Sequence, residues 1–406
     1  MTQARTGLWI VGAFGGVATT TILGLIALRK GLIDQCGLAS ELPQFEPLGL
    51  LRWDDWVIGG HDIRRSSLVC EARKLARTSR AFDESLVENC RAELEQIDQS
   101  IRMGVLWNVG PTIRALADAE CQTKAEHPWE SIGRLQQDLH EFRTANRLDR
   151  VVVVNLASTE PPVDAAKLPA AWTGMARLLR DSAETTLPAS TFYAIAAMDL
   201  GLPYVNFTPS LGSTPPAVCQ LAEQRGTCHM GQDGKTGETL LKSVLAPMFA
   251  HRNLQVMSWV GHNIFGNLDG RVLNDPVNKQ SKVVSKDNVL RHALGYSPQT
   301  LVSIEYIESL GDWKTAWDHI HFRGFLGTPM VMQFTWQGCD SVLAAPLVLD
   351  LARFVERAHR AGETGLLTFL APFFKSPIGV DEHNFERQFQ MLESWVERTS
   401  QAQKSP

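Results

Sequence analysis

GLWIVGAFGGVATTTILGLIALRK, residues 7–30, reads as a strand, a glycine turn and a helix in direct succession. The run from Leu8 to Val11 is apolar throughout, which suits a strand covered on both faces. Gly12, Ala13, Phe14, Gly15, Gly16, Val17 and Ala18 then stand where a dinucleotide fingerprint belongs. Glycines at such a turn let the backbone approach a pyrophosphate, which rests on the helix N-terminus. The spacing is GxxGxxA instead of GxGxxG, because position 14 is Phe. A merely tight strand-to-helix turn accounts for the same residues equally well.

Working outward, VVVVNLAS (151–158) is a second buried-strand pattern, with further strands expected at Tyr204–Phe207 and Gly226–Met230. Helical patterns lie at 84–100, 132–147, 165–180, 189–200 and 214–224. Strands alternating with helices imply a doubly wound α/β domain with a Rossmann-like parallel sheet. The texture changes near residue 240. LQVMSWV (254–260), LVSIEYIESL (301–310) and VMQFTWQG (331–338) alternate with period two, so that Val302, Ile304 and Tyr306 share one face, as do Met332, Phe334 and Trp336. One-sided strands of this kind suit an antiparallel sheet. Helical pattern returns at 341–360 and 383–398. The expected organisation is therefore a Rossmann domain over 1–238 and 340–406, interrupted by an α+β insertion over 239–339.

The chain has 406 residues, 44% of them hydrophobic and 20% charged, which is the make-up of a globular protein with more than one core. Its formal charge of −5 argues against a broad nucleic-acid footprint. The seven cysteines form no CxxC pair, so neither a disulfide framework nor a zinc site is expected, and a reduced, cytoplasmic setting fits. No His/Cys cluster has metal-ligand spacing, and Cys228-His229 reads as a buried strand end. Residues 16–28 are too short and too rich in threonine to span a bilayer, so no membrane association is expected.

GQDGKTGET (231–239) looks like a P-loop but fails the spacing, because the glycine needed at 229 is His229. A glycine-rich turn entering a helix can still hold a phosphate through its amides and the Thr236 and Thr239 hydroxyls. A capped helix start, with either threonine as the cap, is the bland alternative. Among the lysines, Lys375 stands out, since LLTFLAPFFKSPIG is otherwise apolar and an ammonium there needs a partner or a ligand.

In order along the chain, VGAFGGVATT (11–20), VVNLASTE (153–160), VNFTPS (205–210), GQDGKTGETLLKSVL (231–245), HNIFGNLDG (262–270), SKVVSKDNV (281–289), GDWKTAWD (311–318), CDSVLAAPLVLDL (339–351) and FFKSP (373–377) make the sequence resemble the inositol-3-phosphate (myo-inositol-1-phosphate) synthase family. The resemblance implies bound NAD, a catalytic and tetramerisation role for the inserted domain, and a homotetramer acting on a small sugar phosphate. Carried over position by position, Lys282, Lys286, Lys314 and Lys375 match the family's active-site lysines. Asn263 and Asp269 match substrate-side polar groups, and Asp233, Asp312 and Asp340 match acids beside the cofactor or the lysines. Thr236, Gly237, Glu238 and Thr239, with Lys286, match the substrate-phosphate site. Asp62, Ser158 and Thr159 fall on NAD contacts.

The implied chemistry is redox-neutral. Glucose 6-phosphate is oxidised at C5, enolised, closed by an aldol step between C6 and C1, and reduced again to 1D-myo-inositol 3-phosphate. A dianionic substrate and successive oxyanions call for clustered ammonium groups in a water-poor site. Lys282 is expected as the acid/base at the oxidised hydroxyl, Lys314 and Lys375 as carbonyl polarisers, Lys286 as the phosphate anchor, and Asp312 and Asp340 as groups orienting lysines or the nicotinamide. Three departures are visible. Val17-Ala18-Thr19 replaces the family's Asn-Asn-Gly, Glu238 replaces a glutamine, and Arg271-Val272 replaces a more polar pair. They spare the lysines but leave open another sugar phosphate such as fructose 6-phosphate. Separate alternatives are an NAD-dependent sugar-phosphate dehydrogenase with net turnover of the cofactor and a non-catalytic sensor, against which the four retained lysines argue.

Overall fold

A computed structural model describes residues 5–124, 126–267, 270 and 290–404. Its strands are β1 (Thr6–Val11), β2 (Trp56–Asp62), β3 (Ile101–Met103), β4 (Arg150–Asn155), β5 (Tyr204–Asn206), β6 (Cys228–Gly231), β7 (Gln255–Phe265), β8 (Gln299–Tyr306), β9 (Trp313–Arg323), β10 (Pro329–Cys339) and β11 (Gly365–Leu366). The larger sheet runs β11-β6-β5-β4-β1-β2-β3, and every pairing in it is parallel. From β1 the chain goes first to β2 and β3 on one side, then to β4, β5 and β6 on the other. The order therefore reverses between β1 and β4, and in such sheets a ligand crevice opens at the carboxyl ends of the strands at that point.

Both faces of this sheet are covered. On one, helix Gly16–Arg29 lies against helix Asp340–Arg360, and Ile22, Ile26, Val348, Leu351 and Val355 join Leu8, Ile10, Val152 and Val154 in one core. On the other, helices Pro128–Ala145, Trp172–Asp181, Ala189–Asp199 and Pro216–Gln224 close over Trp9, Val11, Val151 and Val153. Consecutive residues of β1 and β4 thus face opposite cores, which is why their sequences carry no polar alternation.

Strand β2 escaped the sequence reading because Gly59 and Gly60 break its apolar pattern. They are there for contact: a Cβ at Gly60 would come 2.3 Å from the Ile10 carbonyl oxygen, and one at Gly59 would come 2.7 Å from the Phe142 ring.

The smaller sheet runs β10-β9-β7-β8. It is mixed, not antiparallel as the alternation suggested, because β7 and β8 pair in parallel. Residues 266–298 intervene between these two strands, and parallel neighbours need a long crossover of this kind where antiparallel ones need only a turn. β9 with β7 and β10 with β9 are antiparallel. The period-two alternation holds, with Ile304, Met332, Phe334 and Trp336 more buried than the residues flanking them. β9 was not foreseen, because its inward row, Ala316, Asp318, Ile320 and Phe322, contains a carboxylate.

The inner face packs under helix Gly237–His251 through Ala246, Phe249, Val256, Trp259, Ile320 and Phe322. After β10 the chain returns to the larger sheet, where β11 pairs with β6. The last helix, Phe385–Lys404, stacks Trp395 on Phe369 with ring centroids 4.1 Å apart.

Candidate active site

The glycine turn closes on backbone contacts. Gly12 has φ of +81°, and a Cβ there would come 2.9 Å from the Ala157 Cα, so the turn admits only glycine. The Gly12 and Ala13 amides both donate to the His61 carbonyl, at 2.8 and 3.1 Å. Helix Gly16–Arg29 starts at Gly15 with no side-chain cap, so its first amides are left for another acceptor.

These amides face a cavity of about 670 Å³ bordered by Gly12, Phe14, Gly15, Gly16, Val17, Asp62, Ser158, Thr159, Asp233, Thr236, Asp312, Lys314, Asp340 and Lys375. Ala13 and Ala18, counted with the turn in sequence, do not border it; both are buried in the core behind.

Asp62 ends β2. Its carboxylate accepts the Phe14 amide at 2.8 Å and the Arg64 amide at 2.9 Å, and the Arg64 guanidinium donates to the Phe14 carbonyl oxygen. Burial raises the Asp62 pKa, opposed by the Arg64 charge and the Phe14 amide. Ile63, Val105, Val109, Ile113 and Leu116 make an apolar lobe of the cavity, suited to a flat ring. An uncapped helix start, a glycine turn that a side chain would fill, and a buried carboxylate at the end of β2 are what a dinucleotide needs. The residues fit NAD.

The opposite wall carries the lysines. The Lys375 ammonium lies 2.8 Å from Asp233 Oδ1, and the Lys375 amide donates to the Asp233 carbonyl at 2.7 Å. The partner that its apolar surroundings demanded is therefore Asp233. Lys314, on β9, lies 3.7 Å from Asp340 Oδ1 and 5.2 Å from the Phe265 ring centroid. A small side cavity of about 20 Å³ is bordered by Thr236, Glu238, Thr239, Asn263, Phe265, Ile304, Lys314 and Lys375. The Asn263 amide is buried there with neither its nitrogen nor its oxygen bonded among the described residues. A buried amide left in that state is set for a ligand.

Thr236 is the N-cap of helix Gly237–His251, yet its side chain makes no capping bond. This disposes of the bland capped-start explanation for Thr236 and leaves the helix's first amides open. Gly237 borders neither cavity and sits under Trp336, whose Nε1 would be 3.1 Å from an added Cβ.

Asp312, expected to orient a lysine or the nicotinamide, borders the cleft and meets no lysine among the described residues. It accepts the Ser341 amide at 3.0 Å, the Cys339 thiol at 2.9 Å, the Ser341 hydroxyl, and the Asn267 side-chain amide at 3.2 Å. It therefore ties β9 to the start of helix Asp340–Arg360, where the positive helix end suits a carboxylate. Burial and the Asp312 charge push the Cys339 thiol up to about 12. Asp340 makes the lysine contact instead. Lys282, Lys286 and Asp269 lie outside the described residues.

Several functional groups were not picked out in the sequence. Arg64 and Lys74 border the larger cavity, as does Glu160. Glu160 accepts the Ser190 amide at 2.9 Å and the Ser190 hydroxyl, and burial raises its pKa to about 7. Its signal was present at the end of VVNLASTE, where a glutamate follows a buried strand. Lys235, in the loop itself, is buried against Gln388, and burial lowers its pKa to about 7.

A parallel sheet with a crevice at its reversal point, and Lys314 facing that crevice from a second sheet, define an α/β protein of the dinucleotide-binding class. The comparisons narrow this. A family model described as myo-inositol-1-phosphate synthase, of the NAD-binding type, matches residues 40–397, so the chain belongs to that family of enzymes. Inositol-3-phosphate synthase 1 of Bacteroides thetaiotaomicron is 33% identical over 95% of this chain and 91% of its own length. The crystal structure of inositol-3-phosphate synthase from Caenorhabditis elegans superposes with a TM-score of 0.86 at 24% identity, covering 98% of this chain and 86% of that one. That of a myo-inositol-1-phosphate synthase-related protein from Thermotoga maritima superposes with a TM-score of 0.78 at 25% identity, covering 97% and 98%.

Proposed function

We propose that the protein converts glucose 6-phosphate to 1D-myo-inositol 3-phosphate without net redox change. The observation that carries this reading is that Lys314, Lys375 and the unbonded Asn263 amide border one small cavity opening beside the dinucleotide cleft.

NAD, when bound, supplies an oxidant for a hydroxyl and the means to reduce the resulting ketone later. The chain's own residues do the rest. The amides of Gly16 and Val17 hold the pyrophosphate, the Gly15 amide being taken by the Gly12 carbonyl, and Asp62, Ser158 and Thr159 hold the nucleoside. Thr236 and Thr239 hydroxyls and the amides of Gly237–Thr239 hold the substrate phosphate, with Lys286. Asn263 fixes a sugar hydroxyl. The Lys375 and Lys314 ammonium groups stand by developing oxyanions, oriented by Asp233 and Asp340. A preorganised cation in a cleft shielded from water stabilises an enolate without reorganising at the moment of reaction. Lys282 serves as acid/base at the hydroxyl that is oxidised, and Asp269 as a substrate contact.

Residues 1–238 and 340–406 form the cofactor domain in this reading, and 239–339 the catalytic and assembly domain. The outer face of the smaller sheet exposes Leu301, Val331 and Trp317, supporting assembly into a homotetramer through that sheet. Among the described residues no helix is long and apolar enough to cross a membrane. A cytoplasmic location agrees with the seven free thiols.

The test is incubation with NAD and either glucose 6-phosphate or fructose 6-phosphate, with products identified by phosphorus and carbon NMR and NADH followed by absorbance. An inositol phosphate from glucose 6-phosphate without accumulating NADH is expected. NADH formed in step with product would replace this reading by a dehydrogenase, and turnover of fructose 6-phosphate alone by another cyclitol-phosphate synthase.

A further inference from the structure

Helix Gly237–His251 opens directly from the phosphate loop, and its second residue is Glu238, a carboxylate where a doubly charged ester is to bind. Its side chain is buried, and Oε1 lies 2.6 Å from the ammonium of Lys242, one helical turn on. Lys242 is itself buried, with its Nζ 3.9 Å from Asp318 Oδ1 and 5.9 Å from the Trp259 ring centroid. Asp318, buried on β9, also accepts the Trp259 indole N–H at 2.6 Å. Opposite stands Gly261 of β7, where a Cβ would come 2.8 Å from Glu238 Oε1, 3.1 Å from Asp318 Oδ1 and 3.5 Å from Lys242 Nζ. The glycine makes room for this charge cluster.

The structure assigns Lys242 as a positioning residue that holds the Glu238 carboxylate against β7 and β9 and cancels its charge, so that the loop Thr236–Thr239 stays receptive to a phosphate dianion. This rests on reading that loop as the substrate-phosphate site. Buried charges interact strongly because little water screens them, so taking one positive charge out of the cluster behind the loop opposes an incoming anion. Lys242 touches no substrate in this assignment. It acts through Glu238.

The test is calorimetric titration of the full-length protein with inorganic phosphate and with glucose 6-phosphate, with NAD binding followed by fluorescence as a control. Lys242→Met is expected to weaken binding of both phosphates by about tenfold or more, the effect of removing one nearby positive charge, with NAD binding unchanged. Glu238→Gln/Lys242→Met is expected to restore wild-type affinity, and Glu238→Gln alone to bind phosphate at least as tightly as wild type. A merely structural lysine would not be rescued by removing the carboxylate. Should Lys242→Met not fold, Gly261→Ala gives the same reading, because its methyl displaces the Glu238 carboxylate. Unchanged phosphate affinity in either variant, or no rescue in the double variant, overturns the assignment. A wild-type protein that binds phosphate but forms no inositol phosphate overturns the proposed reaction and leaves this assignment standing. A wild-type protein that binds neither phosphate overturns both.

Discussion

The larger sheet is covered on both faces and presents to the cleft mostly backbone: the amides of Gly16 and Val17, the turn at Gly12, and an Asp62 carboxylate engaged by the Phe14 and Arg64 amides. The smaller sheet is covered on one face and presents side chains: Lys314, Asn263 and, through Asp312, the start of the returning helix. The difference teaches how the work divides. The pyrophosphate and adenosine of a dinucleotide keep their chemistry throughout a redox cycle and can be met by fixed backbone geometry. In the proposed reaction the sugar develops oxyanions, which call for groups that carry or move charge. The rigid sheet suits the first task, and side chains projecting from a separately built sheet suit the second.

That division can be broken experimentally. The largest effect is expected at Lys314→Ala, which removes the cation that β9 of the smaller sheet presents to the cleft; inositol-phosphate formation should fall by about 10² to 10³-fold, the usual loss when an oxyanion-stabilising group is removed, while NAD affinity measured by fluorescence stays within error. Comparable loss of NAD affinity would show that the two walls are not separable. Ile10→Ala, in β1 and fully buried, should lower folding stability by about 2–5 kcal/mol in chemical denaturation, through the cavity it leaves under both core helices.

Buried titrating groups sharpen the contrast through opposite signs. Glu160, on the nucleotide side, has a folded pKa raised to about 7 from 4.5 by burial. Its proton is bound more tightly in the folded state, so its contribution is fully present below pH 4.5 and is lost as pH climbs through about 7. Glu160→Gln should flatten that slope, by up to about 3 kcal/mol between the two ends, read as unfolding midpoints at pH 4.5 and 8. Lys235, behind the phosphate loop, has its pKa lowered from 10.5 to about 7 by burial. The unfolded state holds that proton more tightly, so stability from this group rises as pH climbs from about 7 towards 10.5, and Lys235→Met should remove the rise.

The smallest effect on folding is expected at the outer face of the smaller sheet. Leu301→Asp, at an exposed position, should change subunit stability by no more than about 0.5 kcal/mol. In sedimentation it should nevertheless shift the proposed tetramer towards smaller species. An unchanged tetramer would remove this face from the assembly contact.

How much of this was legible in residues 1–406 depends on the range of the interaction. The glycine turn, the buried β4 run and the alternation of β10 are local patterns, read from side chains a few positions apart, and they survive in the structure. Strand β2 was hidden because Gly59 and Gly60 answer to the Ile10 backbone and the Phe142 ring, which belong to other parts of the chain. β9 was hidden because Asp318 sits in an inward row, a choice that makes sense only with the Trp259 indole donating to it. Asp312 was expected to orient a lysine or the nicotinamide, and the bonds it makes to Ser341 and Cys339 could not be read from its place in the sequence.

By itself, then, the order of residues determined the alternation of elements and the position of the glycine turn, because both follow from residue type and spacing along one dimension, and it carried the resemblance that pointed to the family. Only the folded chain decided that β7 and β8 run parallel, that Asp233 and Asp340 hold Lys375 and Lys314, and that Glu238 turns to Lys242. The physical reason is that charge pairing and strand register act between surfaces brought together by packing, and a polymer written in one line does not state which of its distant charges will meet.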